Sequence, residues 1–124
     1  MLRECERVLR RGRRLAGYVI HIAPGVTKAQ AGRAAELGPS EVTATASFET
    51  LTQSAGLTVV FSKDVTAAFH ATCAALANAR STLEDELRLE EGDVFFEEER
   101  RKKHAMLQGL DEGILRRSFV VAKK

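Results

Sequence analysis

Apolar residues at positions 2, 5, 8 and 9 have the spacing of one helix face, and Gly12 then stops that helix. Leu15 to Ile22 is an almost unbroken apolar run, which predicts a buried strand closed by Pro24-Gly25. A helix that hands its chain to a strand through a tight glycine turn is the second half of a βαβ unit. The strand expected before the helix is absent, so the chain reads as the later part of a larger α/β domain.

Thr27 and Gln30 then fit a capping box for a short helix to about Leu37, stopped by Gly38-Pro39. Ser47 caps another short helix, with Phe48, Leu51 and Ala55 on one face and Gly56 as its stop. Leu57 to Ser62 has the β-branched content and alternation of a strand. A long helix capped by Thr66 follows, with the stripe Phe69, Cys73, Leu76, Leu83 and Leu87 among many alanines. Gly92-Asp93 breaks it. A second helix places Phe95, Phe96, Met106, Leu107 and Leu110 inward and stops at Gly113. Ile114 to Ala122 predicts the closing strand, and the two final lysines a solvated tail.

At 124 residues and 44% hydrophobic, the chain is one domain's worth of globular sequence. Nineteen basic and seventeen acidic residues leave a net charge of +2, which points to neither a nucleic-acid nor a membrane partner. The charges are segregated, with six arginines in residues 1–14 and a mixed run from Glu97 to Lys103. Helical pairs three or four apart account for both. Cys5 and Cys73 carry no metal-ligand spacing and read as buried free thiols in a reducing cytoplasm. No run reaches the roughly 20 apolar residues of a membrane span.

Four segments in order resemble the C-terminal half of a class I S-adenosylmethionine-dependent methyltransferase. Val8-Leu9-Arg10-Arg11-Gly12-Arg13-Arg14-Leu15 is similar to the family's turn into its fifth strand. Ser47 to Leu51 with Ala55-Gly56-Leu57 is similar to the helix before the sixth strand, and Val59-Val60-Phe61 with Asp64-Val65-Thr66 to that strand and its exit. Arg116 to Lys124 is similar to the closing strand. The turn departs from the family's Pro-Gly-Gly: Arg13 stands where a second glycine commonly takes positive φ, and would be strained there. None of the nine glycines forms a Gly-x-Gly-x-Gly turn, so the resemblance carries no cofactor-binding residue onto this chain.

The resemblance implies an α/β fold. It has a three-stranded mixed sheet (a partial Rossmann-like fold), flanking helices and a helical-pair insertion over 65–112, all in one domain over 1–124. The last strand lies between the other two and antiparallel to both. The edge of the first strand, 15–22, is left open, which invites a homodimer or a companion chain carrying the cofactor half. S-adenosylmethionine is the parent family's cofactor, and none is expected to bind this chain alone. Ligands of open α/β sheets bind beyond the carboxyl ends of the parallel strands, which nominates Tyr18, His21, Phe69 and His70 for a substrate pocket. The competing readings are a core histidine at 21 and a solvent-facing one at 70. The first function expected is the substrate-side half of a small-molecule methyltransferase, inactive alone. The second is a non-catalytic dimeric interaction or ligand-binding module. The third, a nucleic-acid binder through the arginine-rich start, would show steep salt dependence.

Overall fold

Each element begins where local chemistry starts it. In the computed structural model, which describes residues 1–42 and 46–124, α1 spans Leu2–Val8 and β1 spans Arg14–Ile22. Between them Arg13 N–H donates to the Arg10 carbonyl at 3.1 Å, and Gly12 takes the turn's left-handed position at φ +79°. No described non-glycine residue has positive φ, so Arg13 escapes the strain expected of it. The turn is also locked from outside: Gly12 N–H donates to the Lys124 carbonyl and Lys124 N–H to that of Arg13.

The helix α2 (Lys28–Leu37) starts with the expected capping box: Gln30 N–H donates to the Thr27 hydroxyl and Thr27 N–H to the Gln30 side chain. Ser47 caps α3 (Phe48–Ser54) by accepting from Thr50 N–H. The next strand, β2, runs Thr58–Asp64.

Three helices then form an arm: α4 (Thr66–Thr82), α5 (Glu84–Glu91) and α6 (Asp93–Asp111). The expected helical pair is thus a helical trio, because the long helix breaks at Leu83. Thr66 is not the cap of α4. Its N–H donates instead to the Asp64 carboxylate at 2.8 Å. Asp93 does not cap α6 either, and pairs with Arg88 at 3.0 Å.

The last strand, β3 (Leu115–Lys123), is the centre of a three-stranded sheet of order β1-β3-β2. Both ladders are antiparallel, so β1 and β2 run the same way on either side of it. This is the strand order and direction that the resemblance implies, and with both ladders antiparallel the sheet is antiparallel rather than mixed. A bulge between Val59 and Phe61 turns Phe61 onto the face that carries Tyr18 and Phe119. Strand period and register put Arg14, Tyr18, Ile20, Ile22, Leu115, Arg117, Phe119, Lys123, Phe61 and Lys63 on that one face. His21, Arg116, Ser118, Val120, Ala122 and Asp64 lie on the other.

Val120 and Ala122 are buried on the His21 face, and the largest cluster of buried residues lies at one end of the Tyr18 face. Buried Ala34, Leu110, Ile114 and Leu115 gather Ile20, Ile22, Leu37, Phe69, Cys73 and Met106 around them, so α2, α4 and α6 cover this end of the sheet. Several expected core positions lie outside it. Leu76 and Leu83 are exposed, Phe95 is 50% exposed while its neighbour Phe96 is fully buried, and both cysteines are only half-buried. Nor is the end of the chain a free tail: Lys123 belongs to β3, and Lys124 Nζ reaches the Glu6 carboxylate at 3.0 Å.

Candidate functional site

The carboxyl ends of β1 and β2 and the start of β3 meet at the same end of the sheet, where α4 leaves and α6 arrives. An open groove of about 560 Å³ lies there, lined by Asp64, Thr66, Ala67, His70, Leu110, Gly113, Leu115 and Arg116. Gly113 at φ +72° turns the chain from α6 into β3 beside it.

Three polar arrangements build the groove. The Asp64 carboxylate accepts from Thr66 N–H at one oxygen and from Arg116 Nη1 at the other, at 3.0 Å. Hydrogen bonding from Thr66, and then the Arg116 guanidinium, holds this carboxyl below its usual range. The Thr66 hydroxyl accepts from Arg117 N–H at 3.1 Å, fastening the start of α4 to β3. His70, one turn along α4, meets the Asp111 carboxylate at 2.7 Å from Nε2. A carboxylate only accepts, so Nε2 carries the proton in the neutral ring and Nδ1 keeps the lone pair. A histidine held in one tautomer by an aspartate can accept a proton from a bound ligand.

Beside the groove, on the Tyr18 face, the Arg117 guanidinium stacks on two rings. Its centre lies 4.3 Å from the Tyr18 ring centroid and 4.5 Å from that of Phe69. The sequence-nominated Tyr18 and Phe69 are therefore brought together, through a residue that sequence reasoning passed over. The signal for it was in the strand period: 117 and 119 share a face, and Phe119 stacks against Tyr18 at 5.4 Å. Cys73 lies under this region, and burial pushes its thiol pKa up against the pull of Arg117 and Lys103.

The four nominated residues do not form one pocket. His70 lines the groove and Tyr18 and Phe69 flank it, but His21 lies on the opposite face of the sheet. There its Nδ1 lies 3.0 Å from the Ile22 carbonyl and its Nε2 2.8 Å from the hydroxyl of buried Ser118. A carbonyl only accepts, so Nδ1–H donates to it, Nε2 accepts from Ser118, and both ring nitrogens are occupied. Among the described residues no group of His, Cys, Asp and Glu could hold a metal ion, and no helix is long and apolar enough to cross a membrane.

No protein-family model matches the sequence, and no curated protein matches it. The fold does have a match. It is similar to a chain from Galdieria sulphuraria assigned as a sarcosine dimethylglycine methyltransferase, with a TM-score of 0.80 at 15% identity. The match takes in 99% of this chain and 46% of that one, so this chain spans a little under half the length of its structural neighbour. At that identity the likeness is one of fold: the α/β arrangement described above is the architecture of part of that methyltransferase chain.

Proposed function

We propose that this chain is the substrate-side half of a small-molecule methyltransferase fold, built to work with a cofactor-binding half and inactive alone. The observation that carries the reading is the match of nearly the whole chain to less than half of the solved methyltransferase chain. The missing Gly-x-Gly-x-Gly turn agrees with it. S-adenosylmethionine, held by the complementary half, would supply an electrophilic methyl group. This chain would hold the acceptor in the groove beside His70, Thr66 and Arg116. Positioning donor and acceptor in line accounts for most of the catalysis such transfers need. The His70 Nδ1 lone pair is the acceptor for a proton released by an amine.

The open edge of β1, residues 15–22, then pairs with a companion chain that carries the cofactor-binding half, or with the same edge of a second copy. The half-buried free thiols suit a cytoplasmic setting. A second reading, a non-catalytic dimeric module, is favoured by the aromatic side chains exposed on the Tyr18 face.

Two titrations separate the readings. Calorimetry with S-adenosylmethionine and S-adenosylhomocysteine is expected to give no binding heat, and micromolar binding would show that the chain alone makes a cofactor site. Sarcosine and dimethylglycine, the acceptors named for the structural neighbour, are expected to shift the amide resonances of Thr66 and His70. Unmoved resonances would remove the substrate-side reading for these acceptors and leave the module.

A further inference from the structure

Beyond the end covered by the core, the Tyr18 face is bare. Tyr18, Phe119 and Phe61 form a row across all three strands, with Phe61 6.3 Å from Phe119, and Tyr18 and Phe61 are 61% and 51% exposed. The charges on this face are all positive: Arg14 and Lys123 on one side of the row, Arg117 and Lys63 along it. None of these four lies within ion-pair distance of a carboxylate among the described residues. An apolar row rimmed by unneutralised cations fits an apolar surface flanked by acids.

The same chain carries such a surface at the tip of its arm. There α5 packs against α4 and α6, and α6 is roughly 28 Å long at 1.5 Å per residue. Leu89 and Val94 are 89% and 84% exposed, the most exposed large apolar side chains after Met1. Glu86, Leu89 and Glu90 stand three and four apart, on one helix face. Of the other acids of the tip, Glu84, Asp93 and Glu97 pair with Arg88 and Glu91 with Arg80, while Asp85 is exposed and adds to the free negative charge. Glu86 and Glu90 are exposed, with no cation at ion-pair distance among the described residues.

We propose that the tip of the arm, centred on Leu89 and Val94 and flanked by Glu86 and Glu90, docks on the Tyr18–Phe119–Phe61 row of a second copy. Reciprocal docking gives a closed two-fold dimer in which each copy supplies one acidic arm and one basic face. The contact is separate from the β1 edge and independent of the methyl-transfer reading.

Sedimentation velocity of the full chain tests it. The wild type is expected to dimerise, with the dissociation constant rising at least about tenfold from low to high salt. Two charge-reversed variants are expected to stay monomeric: Glu86→Lys with Glu90→Lys, and Lys63→Glu with Lys123→Glu. Mixed in equal amounts, each variant's arm matches the other's face, so the mixture is expected to recover the dimer. Exposed positions should leave the circular dichroism unchanged. In wild-type protein, the amide resonances of Phe61, Phe119, Leu89 and Val94 should shift together with concentration, a readout that needs no variant. A monomeric wild type, variants that dimerise like it, or a mixture that stays monomeric would each overturn the proposal. The second result would move the contact to the β1 edge.

Discussion

Gly109 of α6 passes so close to Leu115 of β3 that a β-carbon at 109 would lie 2.9 Å from the Leu115 Cγ. Leu115 is fully buried in the core, with its side chain fixed from all sides. Gly109→Ala would gain roughly 1 kcal/mol of helix propensity and lose roughly 1–3 kcal/mol to overpacking. Because Leu115 has nowhere to move, the loss prevails. The urea midpoint of Gly109→Ala should fall below that of the wild type. That of Leu115→Ala should fall further, because the truncation costs about 2–5 kcal/mol of stability.

The Arg117 stack should be measurable as a coupling. Each cation–π contact at a partly exposed site is worth about 0.5–1 kcal/mol. Arg117→Gln and Phe69→Leu, made singly and together, should show a coupling energy of that size in a double-mutant cycle. A coupling of zero would mean that the two rings only border the guanidinium.

Phe96 is the hub of the arm. It is fully buried, and the Arg80, Arg88 and Arg100 guanidinium carbons lie 5.3, 4.5 and 5.0 Å from its ring centroid. Phe96→Ala should cost about 3–5 kcal/mol where the arm unfolds with the rest. The Gly109–Leu115 contact fastens the arm's base to the sheet independently. Hydrogen exchange should therefore lose protection in α5 first while β3 keeps it. Uniform loss along the chain would show that arm and sheet unfold as one unit.

Acid should weaken the junction at the groove. The Asp64 carboxyl has a folded-state pKa below its unfolded value, held there by Thr66 and Arg116. Its stabilisation is full above the unfolded value, about 3.9, and is lost as pH falls through the folded one. Glu91, held down by Arg80, and Glu99, held down by Lys103, act in the same direction. Acid unfolding followed by circular dichroism should be less steep in Asp64→Asn, and the variant should be less stable than the wild type at neutral pH.

Much of this architecture was legible in the sequence. The Thr27–Gln30 box, the Ser47 cap and the glycine turns are local, so a few residues determine them. The arm was read less well. The apolar stripe runs through Leu83 unbroken, and the helix breaks there although neither glycine nor proline marks the site. The burial of Phe96 rather than Phe95 goes with three arginines around its ring: Arg100 one turn along the same helix, and Arg80 and Arg88 on α4 and α5, which adjacent positions cannot reveal. The candidate site suffered from a parity error. Tyr18 and His21 are three apart on one strand, so they face opposite ways. The strand period puts Arg117 on the face of Phe119, and the β1–β3 register sets that face against Tyr18, where Arg117 unites Tyr18 with Phe69.

The strand order has a consequence for synthesis on the ribosome. β1 and β2 are not paired with each other, and among the described residues each is laddered only to β3, so Tyr18 waits for Phe119 and Val59 for Ala122. Until residues 115–123 have emerged, β1 and β2 lack the strand that joins them and remain two apolar segments without that partner. The first of these, Leu15 to Ile22, must be kept from pairing elsewhere while about a hundred further residues are translated.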